Sequence, residues 1–451
     1  MIRPMQDTAD VVIVGARCAG SAAAIALASR GRRVIALDRA SFPSDTLSTH
    51  LLFPCHWQEL AALGLRHRIA AIGAPMHTRA GLGTPEVEVE GEYPADLGPD
   101  PGSCVRRPAF DLALVEAARE AGAEVREGVR VTDLVRDGAG RVVGVRWHDG
   151  ATEGTITAPL VVGADGRSSF VARAVGAEAH HEWPNHRLMA YAYYDDPRSE
   201  LRHLAMQWRV GDELSTVFPC DGGQSVILLM SPVRRAEEFR ADPIGTFERT
   251  VASIGPLAAR VEGCRRVGRV RLSVRHPSYF RYSHGPGWAL AGDSGHFKDP
   301  VTAQGIRDAL RFGRLLGEAV APVLNDEEQL ASALARWEAD RDRQCLAMYQ
   351  WANGLGLDDD VSPVELAAYR WFAARPDGAG EILSVFSRAR APQEVFTPAR
   401  TARWVAMAAR DPGTDRRRLA SVLARDIGRE VRRRLEAARF DRVRAAGRPD
   451  D

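Results

Sequence analysis

Between Asp10 and Leu37 the chain alternates a β-branched run, a glycine-bounded turn, an alanine-rich stretch and a second apolar run. Short apolar, β-branched runs flanking a segment of helical composition define a βαβ unit, whose two strands must lie parallel. The turn reads Gly15-Ala16-Arg17-Cys18-Ala19-Gly20 and opens directly into the alanine-rich helix expected over Ser21 to Ser29. Gly15 supplies a tight turn and Gly20 a close helix–strand approach. The exposed N–H groups and positive end of the helix then form a site for an anion.

Asp38 ends the second run, 23 positions after Gly15. A carboxylate there accepts hydrogen bonds from the ribose of an adenine dinucleotide. Arg17 occupies the position where a middle glycine normally lets backbone approach phosphate. Either its guanidinium lies over the phosphates, or it is a solvent-facing side chain on a tolerant turn.

Two further signatures follow apolar strands: Gly163-Ala164-Asp165-Gly166-Arg167-Ser168, and Gly292-Asp293 continuing through Asp299-Pro300 to Gly305. With these three motifs in order, the sequence over residues 10 to 345 resembles the single-component flavin monooxygenases and their relatives, the geranylgeranyl reductases and flavin-dependent halogenases. The resemblance implies an α/β fold with a Rossmann-type FAD-binding domain, an antiparallel substrate-binding sheet and a helical C-terminal region. The FAD domain is expected over 8–75, 103–176 and 271–345, the substrate domain over 76–102 and 177–270, and the helical region over 346–451. Implied cofactor contacts are Gly15, Ala16, Arg17, Cys18, Ala19, Gly20, Asp38, Arg39, Arg107, Val131, Asp165, Gly292, Asp293, Pro300 and Gly305. Arg107 is preferred to Arg106 from the register of Phe110 and Leu114. Pro300 suits an early helical position, from which a helix would point its N-terminus at the flavin.

Lys298 is the only lysine in a chain that otherwise uses arginine. It is a candidate catalytic ammonium beside the flavin or, alternatively, a partner of Asp299 or another carboxylate. His50, in Ser48-Thr49-His50 after the second strand, is the other catalytic candidate, with a structural loop histidine as its alternative. The Phe218 to Gly223 turn falls in the substrate sheet. The resemblance implies a monooxygenase that takes electrons from NADPH or NADH, meets dioxygen as a flavin hydroperoxide and oxygenates a small organic substrate. A reductase of carbon–carbon double bonds is the alternative on the same fold, and a non-catalytic escort a third. No WxWxIP motif of the halogenases is present.

The net charge of +1 provides no long-range field to attract nucleic acid or anionic membrane, and six scattered cysteines suit a reducing cytoplasm. Arg17 and glycines interrupt the apolar run from Val11 to Ala28, so no membrane span or targeting signal is expected there. Adjacent His180 and His181 would point apart on a strand, which disfavours a metal pair. The arginine-rich amphipathic segment Arg416 to Arg442 is expected to be solvated, with docking on a partner or lipid as the alternative. Oligomeric state leaves no mark on the sequence.

Overall fold

The computed structural model describes residues 5–445. Its six-stranded sheet runs in the order His284–Gly285, Trp288–Leu290, Leu160–Gly163, Val11–Val14, Val34–Asp38, Glu124–Glu127. All neighbours are parallel except the edge hairpin 284–285/288–290. The unbroken apolar sequence of the central strands follows from burial on both faces. Val11 and Ile13 pack against helices, while Val12 and Val14 meet a second sheet made of 5–8, 130–136, 142–148 and 153–157.

Helix Cys18–Ala28 lies against helix Gly305–Val320 at very close range. A Cβ on Gly313 would stand 2.4 Å from the Ala19 carbonyl oxygen, and one on Gly317 2.8 Å from the Ala26 Cβ. The alanine-rich composition of the first helix is thus a packing requirement as well as a propensity.

Three local expectations shift. The first helix begins at Cys18, three residues before Ser21, because the turn after Gly15 winds directly into it. By sequence, the run from Val125 to Val135 reads as one strand, yet it breaks at Gly128, whose φ is +70°, and its halves join different sheets. Pro300 opens a short 3-10 turn, Pro300–Thr302, not the helix. Ala303 then takes the left-handed conformation (φ 52°) and the helix starts at Gly305. The Asp299 side chain accepts from the Val301 amide and fixes that turn.

The seven-stranded sheet runs Arg265–Ser273, Met189–Asp195, Gln224–Met230, Glu213–Pro219, Leu204–Val210, Arg79–Gly83, Glu88–Glu92. It is antiparallel except where 204–208 pairs in parallel with 79–83. An antiparallel sheet of alternating strands is expected to have one face covered, yet here both faces are. Ala190, Ala192 and Ile227 pack against helices within 236–260, and Tyr191, Val226 and Leu228 share a core with Met348, Phe372 and Phe386 of the C-terminal helices.

The terminal helix Arg416–Ala445 is docked rather than wholly solvated. Leu419, Val422 and Phe440 are buried, and the Phe440 ring meets Phe280 at 5.3 Å and His181 at 4.9 Å between centroids. Among the described residues no helix is long and apolar enough to cross a membrane.

Candidate functional site

A cavity of about 530 Å³ opens where the parallel sheet's C-terminal strand ends meet the seven-stranded sheet. That is the position at which open α/β sheets bind ligands, and the volume lies in the range of cofactor sites. Gly15, Arg17, Cys18, Ala19, Asp38, Arg39, Arg107, Val131, Asp165, Asp293, Lys298, Pro300 and Gly305 all border it. Ala16 and Gly20 stand just behind the wall. Gly292 borders a small adjoining cavity of about 20 Å³.

Local packing explains the glycines. Gly15 has φ +99°, and a Cβ there would fall 2.4 Å from the Ala164 carbonyl oxygen. At Gly20 it would fall 1.8 Å from the Gly15 carbonyl oxygen. The Ala16 amide donates to Asp38 Oδ2 at 2.8 Å and the Ala40 amide to Oδ1 at 2.8 Å. Asp38 therefore fixes the glycine turn while it borders the cavity. No side chain caps helix Cys18–Ala28, which leaves the first-turn N–H groups for a ligand.

Arg17 borders the cavity and is not a solvent-facing side chain on a tolerant turn. It turns inward, forms an ion pair with the buried Asp111 and donates to Ser44 Oγ at 2.8 Å. Arg107 pairs with the same carboxylate at 2.8 Å. Two guanidiniums thus share one carboxylate and leave a net positive charge at the wall. Arg106 turns instead to Asp221 and Gln224 on the seven-stranded sheet.

The two aspartates of the later motifs differ. Asp165 is internally occupied: Ser169 Oγ donates to it at 2.5 Å, the Phe170 amide at 2.6 Å and Ser294 Oγ at 3.1 Å. It ties the two motifs together and caps the helix at Phe170–Ala174. The Asp293 carboxylate has no hydrogen-bond partner among the described residues, although it borders the cavity. Burial raises its pKa above the usual carboxylate value, against the opposing pull of Arg167, Lys298 and Arg107. An unpartnered acceptor facing a cavity fits a ligand rich in hydroxyls.

Lys298 is buried in the wall and paired with Asp308, not with Asp299. Arg307 and Arg388 reach the same Asp308 carboxylate at 2.9 and 3.3 Å. His50 is fully buried next to Ser48 and Thr49, which border the cavity, and does not border it itself. Its φ is +63° and its Nε2 lies 2.9 Å from the Tyr193 hydroxyl, while Nδ1 has no partner. Burial lowers its pKa to about 3, with Arg107 adding to the effect, so the ring is neutral. Tyr193 and Tyr191 both donate to Asp45, at 3.3 and 3.1 Å, and Arg271 pairs with Asp45 at 2.7 Å. Sequence reasoning missed this Asp45 group. The alternation that puts Tyr191 and Tyr193 on one face of their strand was the available signal.

His180 and His181 do not point apart: a bulge in their strand brings the two Nδ1 atoms to 3.2 Å. His180, Glu338 and Asp342 offer donor atoms within 4.8 Å of one another. Glu338 is engaged by His284 at 2.6 Å, however, and Asp342 by Arg341 at 2.6 Å.

Comparison with known proteins shows the family. Residues 8–352 match the family described as FAD binding domain. A menaquinone reductase of Mycolicibacterium smegmatis is 32% identical over 329 residues, covering 70% of this chain and 76% of that protein. Digeranylgeranylglycerophospholipid reductase 1 of Methanopyrus kandleri is 30% identical over 343 residues, covering 73% and 84%. The solved structure of the flavin-dependent brominase Bmp2 superposes with a TM-score of 0.73 at 20% identity, covering 89% of this chain and 99% of that one. The uncapped helix, the glycine turn without room for a Cβ and the free Asp293 carboxylate fit the pyrophosphate and ribityl groups of FAD. With the family match across more than half its length, the chain belongs to the FAD-binding-domain family of FAD-dependent oxidoreductases.

Proposed function

We propose that this enzyme is an FAD-dependent reductase that saturates a carbon–carbon double bond in an apolar, prenyl-bearing lipid. The carrying observation is kinship. The relatives at 30–32% identity over about three quarters of the chain are named for reduction of menaquinone and of a digeranylgeranyl lipid. The brominase likeness, at 20% identity, speaks to the fold alone. Double-bond reduction thus takes precedence over the oxygen transfer expected from the motifs.

FAD, when bound, supplies the two-electron chemistry, and NADPH or NADH is proposed as the donor that recharges it. The first-turn amides of helix Cys18–Ala28 bind pyrophosphate, and Asp38 retains lone pairs for ribose. Asp293 accepts from the ribityl hydroxyls. Lys298, held by Asp308 in the cavity wall it shares with Asp293, would offer a compact positive charge to bound FAD. In this reading residues 8–75, 103–176 and 271–345 hold the cofactor, while 76–102 and 177–270 face the substrate.

Saturating a double bond also consumes a proton, and the Ser48-Thr49-His50 loop is placed to handle it. The Ser48 and Thr49 hydroxyls border the cavity, and His50 stands behind them as a positioning residue with Tyr193 2.9 Å away. Asp45 anchors that tyrosine close to the surface.

Purified protein given NADPH or NADH and menaquinone, or a geranylgeranyl phospholipid, under anaerobic conditions tests this reading. The expected product gains two hydrogens at a former carbon–carbon double bond and keeps them after air has reoxidised any menaquinol. A product that forms only with dioxygen and gains one oxygen atom would replace the reductase by the monooxygenase.

A further inference from the structure

Helix Arg416–Ala445 carries two faces of opposite character. Leu419, Val422 and Phe440 lie buried on one side. At 100° per residue, Ile427, Val431 and Leu435 fall on a single stripe whose centre points directly away from Val422 and Phe440. These three are 66%, 51% and 60% exposed, the highest values among the exposed large hydrophobic residues described. Only Val233 and Ile244 join them, on other elements, at 36% and 42%. Scattered exposed side chains need no explanation, but a three-membered stripe on one helix does.

Charge follows the same division. Residues 416–445 hold eleven arginines and four acidic residues, a net of +7 in a chain whose total is +1. The overall neutrality thus conceals a basic helix on an otherwise acidic protein. The described acidic residues of the helix, Asp426, Glu430 and Glu436, project toward the docked side or its borders. There Asp426 pairs with Arg429, and Glu430 with Arg433 and Arg434. Arg425 and Arg429 are likewise tied to Asp359. Arg416, Arg417 and Arg432 are exposed, with no ion-pair partner among the described residues. By helical spacing Arg416 and Arg432 flank the apolar stripe and Arg417 lies within its arc.

We propose that this face docks the enzyme on the surface of an anionic phospholipid bilayer. Ile427, Val431 and Leu435 enter the acyl boundary, and the free arginines meet lipid phosphates. Three apolar side chains alone give weak partition, and arginines alone give a salt-labile attachment. Together they provide the paired signals that a stable interfacial helix requires. A second copy of the chain would bring a second +7 helix against the first, which argues against self-association through this face. The proposal goes beyond the reaction assigned above and holds whether or not that assignment does, since its test reads binding and not turnover.

The test is flotation of the purified FAD-bound protein with phosphatidylcholine vesicles, with and without phosphatidylglycerol. The protein is expected to float with the anionic vesicles, to stay in solution with the neutral ones and to be released by high salt as the Debye length shrinks. Arg416→Gln, Arg417→Gln and Arg432→Gln combined should lower the anionic-vesicle partition about a hundredfold, roughly fivefold for each charge removed. Ile427→Ser, Val431→Ser and Leu435→Ser combined should abolish flotation while FAD absorbance and melting temperature stay at the parent values. Failure of the parent to float, or equal flotation of the serine variant, would overturn the proposal. So would a parent dimer that the serine changes convert to monomer, which would assign the face to a second copy.

Discussion

Replacing Asp293 by asparagine should move two measurable quantities in opposite directions. The side chain borders the FAD cavity without a partner, and burial raises its pKa. A folded-state pKa above the unfolded value means that ionisation at neutral pH costs the folded chain stability, a cost that fades as the pH falls toward the unfolded value. Asp293→Asn removes that cost from the apoprotein. Its melting temperature should rise by about 1–2 °C for each kcal/mol regained in a chain of this length. In the holoenzyme the same change replaces a charged acceptor by a neutral one at the ribityl hydroxyls. A hydrogen bond to a charged group is worth about 1.5–3 kcal/mol, so the FAD dissociation constant should rise roughly ten- to 150-fold. Flavin-release titration and thermal melts of apo and holo protein read both effects. An unchanged FAD affinity, or an apoprotein that becomes less stable, would refute the assignment of this carboxylate to the cofactor.

Lys298→Arg retains charge but puts a planar guanidinium where a compact ammonium meets Asp308; turnover should fall at least tenfold, about 1.4 kcal/mol of barrier, with FAD still bound, and normal turnover would leave Lys298 a structural ion pair. Phe440→Ala removes an aromatic ring that is 1% exposed against Phe280 and His181, so denaturant titration should show a loss of about 3–5 kcal/mol, and a freely solvated terminal helix would show none. His50 and His56 are held near 3, and His77 and His276 near 4, chiefly by burial. These folded values lie below the unfolded value of about 6.5, so the stabilising contribution present above that value is lost as pH falls through it toward 3–4. The cost is up to about 1.4 kcal/mol per pH unit for each ring. A melting temperature that stays flat between about pH 6.5 and 4.5 would contradict these burials.

The cofactor half of the fold was legible because its constraints are local. Gly15, Gly20 and the two aspartate motifs sit at strand ends, where backbone geometry admits few residue types. The β-branched runs marked the central strands for the same reason. Long-range partners left no such trace. Nothing near Arg17 in sequence announces Asp111, 94 positions away, which turns its guanidinium inward. Asp165 had the right position for a ligand contact, yet its oxygens go to Ser169, Phe170 and Ser294, an allocation decided only when two motifs meet in space. The break at Gly128 was readable in principle, but a glycine inside an apolar run marks a bulge as readily as a strand end. The terminal helix reads as solvated because its arginines dominate its composition, while three widely spaced side chains, Leu419, Val422 and Phe440, decide that it docks.

The most direct measurement is a single anaerobic turnover. Enzyme-bound FAD is reduced chemically, excess reductant is removed, and the bleached protein is mixed with menaquinone or a geranylgeranyl phospholipid in deuterated buffer. The reductase account predicts that the yellow colour of oxidised FAD returns without dioxygen and that the saturated product carries solvent-derived deuterium at both carbons of the former double bond, because the hydrogens of reduced FAD exchange with solvent. Reduced FAD that stays bleached with either lipid until dioxygen is admitted, followed by a product one oxygen atom heavier, would contradict it.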